Sequence, residues 1–217
     1  AFRNKFKTDE VSSYTQFYDE TLKLMNSKDL DAFQLSKEPD YEKKLQSYGS
    51  SELGKGALLA RRLVKSGIRF IEVSSGGWDM HNDLWGDIQG KAGGLDQALS
   101  ALIDDLKADG LFEKTLIVVG TEFGRSPKIN ANGGRDHHPR VFSTMFAGGG
   151  ISGGQVYGKS DALGMGVAED PVDPRDFNAT IATAMGLDLN QVVYAPSGRP
   201  FLVAGHKRDR ETDKILP

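Results

Sequence analysis

Three of the four histidines in the chain fall in two short acidic clusters, Gly77-Trp78-Asp79-Met80-His81 and Gly134-Arg135-Asp136-His137-His138-Pro139. Between them, Thr121-Glu122-Phe123-Gly124-Arg125 directly follows an apolar run. Carboxylate and imidazole gathered where backbone leaves a strand are the ligands of a divalent cation. Without thiolate, such a set suits Zn, Mn or Fe better than the all-oxygen sites of Ca or Mg, and Zn or Mn is the expected cofactor. Zero cysteines exclude disulfides, thiolate ligands and a cysteine nucleophile.

Asp79 and His81 are one residue apart, and on extended backbone residues i and i+2 project to the same side. Both can then reach one ion. Glu122 stands at the end of a second expected strand, so two strand ends converge on one edge of a sheet, where open α/β sheets bind ligands. Asp136, His137 and His138, flanked by Gly133-Gly134 and Pro139, read as a ligand loop. Adjacent residues on extended backbone point apart, so one of the two histidines is expected to bind metal while the other holds a substrate group or an outer contact. The competing readings are a turn or cap role for Asp79, a surface histidine at 81, and a plain polar loop at 136–138.

Arg125 and Arg135 each adjoin a candidate ligand, and guanidinium forks beside a cation hold phosphate or sulfate oxygens. A surface arginine paired with a nearby acid is the alternative for each. Ser74, Ser75, Thr121 and Ser126 lie near the motifs, but none sits in a G-x-S-x-G elbow. Trp78 and Trp85 read as packing residues, His206 as a surface histidine, and the glycine-rich stretch 148–154 as a weak anion-loop signal.

The elements that must position these residues are legible from periodicity. Val11, Tyr14, Phe17, Tyr18, Leu22 and Met25 recur at three and four, which predicts a helix over 10–26. Further helices are expected at 41–48, at 56–65 closed by Gly67, at 94–108 closed by Gly110, and at 173–185, where Asp173-Pro174 supply cap and first turn. The apolar runs 68–73 (IRFIEV), 115–120 (TLIVVG), 141–147 and 199–204 predict strands, with 155–158 as a hairpin arm. Helix and strand in alternation argue for a three-layer α/β/α fold with a largely parallel sheet. The second cluster meets the first two only if strand 141–147 starts where the others end, so it is expected to run antiparallel to 115–121.

A length of 217 residues suits one domain: a helical lead-in at 1–66, a metal-site core at 67–204 and a polar tail at 205–217. A net charge of −3 gives no basic surface for nucleic acid, and no run reaches the ~20 apolar residues of a membrane span. No signal peptide is visible at the start, and oligomeric state is left open.

The segment LDQALSALIDDLKADGLFEKTLIVVGTEFGR resembles the helix–strand unit of sulfatases and alkaline phosphatases, in which a "TLIVxTSDHG"-type strand end carries metal ligands. The ordered set GWDMH, TEFGRSPKIN, GRDHHP, FAGGGISGGQVYG and GLDL is more similar still to a bacterial sulfatase-like family known only as a domain of unknown function. The likeness runs over about two-thirds of the chain, from Gly67 to Val203. It implies an alkaline-phosphatase-like fold, a one- or two-metal site, hydrolysis of a small or polymeric phosphate or sulfate ester, and a periplasmic or exported location. Asp79 and His81 match the Asp–His ligand pair, Glu122 stands for the aspartate of the phosphatase DH motif, and His137 or His138 matches the late histidine. Phe123 replaces the DH histidine, which weighs against a second metal unless Asp136 and the extra histidine compensate. No segment of 1–66 resembles the upstream strand that carries an aspartate and the nucleophile, so the chain is expected to be the C-terminal part of a longer protein. The rival reading is a non-catalytic module that binds an anionic ligand or polysaccharide on the same scaffold. A plain structural domain would instead hold its histidines too far apart to share an ion.

Overall fold

The computed structural model describes residues 9–202, which fall into two compact units. His206 and the polar tail lie outside the described residues, as do the last two positions of the strand expected at 199–204.

The first unit holds the residues up to Ser75 together with Gly94–Leu102. Its helices are α1 (Asp9–Met25), α2 (Tyr41–Tyr48), α3 (Glu52–Lys65) and the middle of α4 (Leu84–Ala108), with 3-10 turns at Lys28–Phe33 and Leu35–Lys37. Tyr48, Ala57, Leu58 and Ala98 form the buried centre, flanked by Leu35, Tyr41, Leu53, Ala101 and Leu102. Ser51 caps α3 by accepting from Gly54 N at 3.1 Å. A Cβ on Gly54 would meet Gly49 O at 2.1 Å, so the absent side chain is what lets α3 start against the end of α2. Glu38 is buried in a fork of two guanidinium groups, Arg61 Nη1 at 2.5 Å and Arg62 Nη1 at 2.6 Å, and Arg62 also donates to the carbonyls of Ala32 and Asp31. These bonds tie the 3-10 segment onto α3.

The second unit holds Gly76–Gly93 and the described residues from Ile103 onward. The apolar run at 115–120 forms β1 (Leu116–Val119), and the run at 141–147 forms β4 (Met145–Gly148). They pair antiparallel with Leu116 opposite Gly148 and Val119 opposite Met145. Three further antiparallel pairs follow: β2 (Gly124–Arg125) with β3 (His137–His138), β5 (Lys159–Ser160) with β6 (Val167–Glu169), and β7 (Val192–Tyr194) with β8 (Pro200–Leu202). Helix α5 (Pro174–Ala184) packs Ala179 and Ala182 on Leu189, and Phe177 meets Phe146 at 5.3 Å between ring centres.

This architecture corrects the expected fold. Among the described residues every sheet is a two-stranded antiparallel ladder and no parallel pairing occurs, so the three-layer, alkaline-phosphatase-like sheet is not what this chain forms. Residues 68–73 are the reason. They form no strand, and Ile68, Phe70 and Val73 stay exposed, Phe70 at 72%. A parallel sheet needs strands covered on both faces; an apolar run states a preference for burial but does not supply the neighbour. The stretch 155–158 is likewise irregular, and the ladder begins at Lys159. Helix α4 starts at Leu84, ten positions ahead of the expected Gly94.

Asp173 caps α5, accepting from Arg175 N at 2.7 Å and Asp176 N at 3.0 Å, while Asp176 accepts from Asp173 N in return. The Arg175 guanidinium, and then the helix amides, lower its carboxyl to about 2. A depressed folded value means the cap is fully formed above the ordinary carboxylate value and is lost as pH falls toward 2. Asp173→Ala is expected to cost about 1 kcal/mol at neutral pH, with the difference from wild type shrinking as pH falls toward 2. Thermal unfolding at both pH values checks it.

Candidate metal centre

The first cluster is shaped by backbone. Gly77 takes a φ of +80°, and Met80 N and His81 N bond back to the carbonyls of Trp78 and Asp79 at 3.0 and 3.2 Å. Met80 is buried, so its neighbours on either side turn outward together. His81 Nε2 lies 3.0 Å from Asp79 Oδ1.

The segment 80–84 is then stapled to 132–135. Arg135 N donates to Met80 O at 2.9 Å, Leu84 N to Gly133 O at 3.0 Å and Asp83 N to Asn132 O at 3.1 Å, with a bridge between Asn82 and Gly133. The approach is possible because position 134 is glycine: a Cβ there would lie 2.1 Å from His81 C. Asn130 locks the junction. Its amide donates to His81 O and Asp136 Oδ1, both at 3.0 Å, and its oxygen accepts from Asn132 N and Gly134 N.

The β2–β3 ladder delivers the third component. Arg125 is paired with His137 and Gly124 with His138, and cross-strand partners share a face. His137 Nε2 reaches Asp79 Oδ1 at 3.0 Å and His81 Nε2 at 3.2 Å. Asp79 Oδ1, His81 Nε2 and His137 Nε2 thus form a triangle, and these three residues offer ligand atoms close enough to share one ion. His81 gives its other nitrogen, Nδ1, to Asp136 Oδ1 at 2.9 Å. That bond places the proton on Nδ1 and turns the Nε2 lone pair into the triangle, the arrangement that orients metal-binding histidines. The Phe123 ring lies 4.6 Å from the His137 ring, centre to centre.

Both aspartates are held below the usual carboxylate range, Asp79 by its bond to His137 and then by Arg125, Asp136 by His81 and then by Asn130. Both are therefore anionic at neutral pH, the state a cation requires of a carboxylate beside it.

The other candidates lie around the triangle rather than in it. Asp136 supports His81. Glu122 is exposed and 3.7 Å from Arg125 Nη2. His138, on the opposite side of β3 from His137, is buried, and its Nε2 has no hydrogen-bond partner among the described residues. Arg125 donates from Nη1 to Asp79 Oδ1. Arg135 spends Nη1 on the carbonyls of Ser126 at 2.5 Å and Pro127 at 2.8 Å, which makes it a brace for the loop. Asn130 is absent from the sequence reading; the cue was an asparagine four residues before Gly134, where a side-chain carbonyl can close a turn. Among the described residues no helix is long and apolar enough to cross a membrane.

The fold and the cluster together define a mixed α/β protein with a His–His–Asp constellation. The chain belongs to the DUF1501 family, described as proteins of unknown function, with the match covering residues 1–216. Comparison with curated proteins and with solved structures returned no match.

Proposed function

We propose that Asp79, His81 and His137 hold one divalent cation, Zn or Mn, and that the chain serves metal-dependent hydrolysis of phosphate or sulfate esters. The observation that carries this reading is the triangle, with edges of 3.0, 3.0 and 3.2 Å. Ligand bonds of ~2.0–2.1 Å in a tetrahedron separate neighbouring ligand atoms by roughly 3.3–3.4 Å, so the cluster needs only a slight expansion to cap an ion. His81, with its Nδ1 proton given to Asp136, presents a lone pair there, and a carboxylate oxygen beside it has no proton to offer at neutral pH. Once the proton that His137 shares with Asp79 is displaced, two imidazole nitrogens and a carboxylate oxygen offer lone pairs to one point, which suits a cation.

Three protein ligands leave a coordination position open, as catalytic sites do and closed structural sites do not. A bound cation supplies a Lewis acid for the ester oxygen at neutral pH. The chain's own residues supply the rest. Asp136 and Asn130 fix the His81 ring, Phe123 packs at a tilt against His137, and Arg125, bonded to Asp79 Oδ1, brings a guanidinium suited to phosphate or sulfate to the edge of the triangle. Anion binding is assigned to Arg125 alone, since Arg135 is committed to the loop. Thr121 Oγ1 and Ser126 Oγ donate to the carbonyls of Phe123 and Lys128 and brace the loops beside the triangle. The order of the motifs GWDMH, TEFGR and GRDHH supports kinship in chemistry with the sulfatases and phosphatases.

The test is turnover of p-nitrophenyl phosphate and p-nitrophenyl sulfate by the Zn2+- or Mn2+-loaded chain. Hydrolysis of either that disappears in His137→Ala supports the proposal. Absence of metal binding, with no change on His81→Ala or His137→Ala, overturns the proposal and favours the non-catalytic anion-binding module.

A further inference from the structure

The oxygen at the corner of the triangle is already shared with a cation of the protein's own. Arg125 Nη1 donates to Asp79 Oδ1, which also lies 3.0 Å from His81 Nε2 and from His137 Nε2. Arg125 Nη2 faces Glu122 Oε1 at 3.7 Å, and the guanidinium carbon lies 5.6 Å from the Phe123 ring centre. Arginine cannot shed its charge at any pH a protein survives. A divalent ion in the triangle therefore sits beside a fixed positive charge, and both draw on one carboxylate oxygen.

We infer that Arg125 links metal binding to oxyanion binding. It opposes the ion when the ion binds alone, and it favours the pair of ion and tetrahedral oxyanion when both are present. The inference rests on the metal reading of the triad. Without an anion, Arg125 competes for Asp79 and repels the ion. With phosphate or sulfate in place, oxygens of the anion neutralise the metal and the guanidinium together, and the guanidinium fork matches two of those oxygens. Glu122 gives the side chain a second acid to lean on when it leaves Asp79. The coupling is reciprocal: whatever factor the anion adds to metal affinity, the metal adds to anion affinity. A site of this kind holds its metal loosely when empty of substrate and firmly when occupied.

The experiment is titration of Zn2+ against a chromophoric chelator, without added anion, with saturating inorganic sulfate, and with saturating inorganic phosphate. The protein is wild type, Arg125→Gln or Arg125→Lys, with circular dichroism to confirm that each variant folds. For wild type, at least one of the two anions is expected to tighten Zn2+ binding about tenfold, within the usual range of coupling between sites, and the larger effect identifies the preferred ester. For Arg125→Gln, anion-free Zn2+ affinity is expected to rise about tenfold and the anion effect to shrink to about twofold or less. Arg125→Lys keeps the charge and so keeps the wild-type affinity for Zn2+ alone. Weaker or unchanged Zn2+ binding in Arg125→Gln, or an anion effect that persists without the guanidinium, overturns the inference while leaving the metal site standing. No Zn2+ binding by wild type under any condition overturns the metal reading and the inference with it.

Discussion

His137→Ala is expected to lower Zn2+ or Mn2+ affinity by more than about a hundredfold, beyond the 10–100-fold typical of losing an outer partner of a ligand. The reason is local. His137 supplies one corner of the triangle, and β3 offers no substitute, because His138 next to it faces the buried side. Asp136→Asn probes the outer ring and should fall within that 10–100-fold range. An asparagine can still accept from His81 Nδ1, but it no longer supplies the negative charge that makes the ring a better donor to a metal. Isothermal titration of the two variants beside wild type gives the order: wild type tightest, Asp136→Asn intermediate, His137→Ala weakest. Equal affinities for the three would remove the triangle from consideration.

Gly134→Ala is expected to damage the site without touching a ligand. Its Cβ would lie 2.1 Å from His81 C, 2.2 Å from His81 O and 2.5 Å from Asn82 N. These are backbone atoms, with no rotamer to relax into. Relief requires the segments 80–84 and 132–135 to separate, which breaks the bonds from Arg135 N to Met80 O and from Leu84 N to Gly133 O. Overpacking a tight site costs about 1–3 kcal/mol where side chains can adjust; here the loss should reach or exceed the upper end, with Zn2+ affinity falling as well. Gly76→Ala is the control, since a Cβ there meets nothing within 4 Å. Urea unfolding and Zn2+ titration of both variants check the contrast. Equal stability and equal Zn2+ affinity in the Gly134→Ala and Gly76→Ala variants would show that the stapled geometry is not what holds the site.

The helices were legible because their signals are local. The apolar spacing of α1 and the Asp173-Pro174 start of α5 act within one or two turns of the chain; the Ser51 cap went unread, and α3 begins at Glu52 rather than at 56. The β-branched run at 116–119 likewise marks β1. What it could not state was the partner: residues 68–73, with Arg69 and Glu72 among their apolar side chains, form no strand, and the parallel sheet inferred from them is absent among the described residues. The early start of α4 was hidden by Gly86, Gly90, Gly93 and Gly94. Each glycine costs a helix about 1 kcal/mol relative to alanine, and only tertiary context offsets that. In the site, the i, i+2 spacing of Asp79 and His81 indicated a shared direction. The separation of His137 from His138 followed from strand alternation, but which of the two faces the cluster depends on the β2–β3 register. That Asp136 serves His81 Nδ1, and that Arg125 reaches Asp79 while Arg135 braces the carbonyls of Ser126 and Pro127, are matters of three-dimensional reach that spacing does not encode.

The central claim is that Asp79, His81 and His137 bind one divalent ion together. X-ray absorption of the Zn2+-loaded chain tests it most directly, because scattering from imidazole rings is distinguishable from that of carboxylate and water oxygens. The expected result is one Zn2+ per chain, with two imidazole nitrogens and oxygen ligands at ~2.0–2.2 Å, and one imidazole lost from the spectrum in His81→Ala and in His137→Ala. A Zn2+ shell without imidazole, or the same shell in both variants, would contradict it.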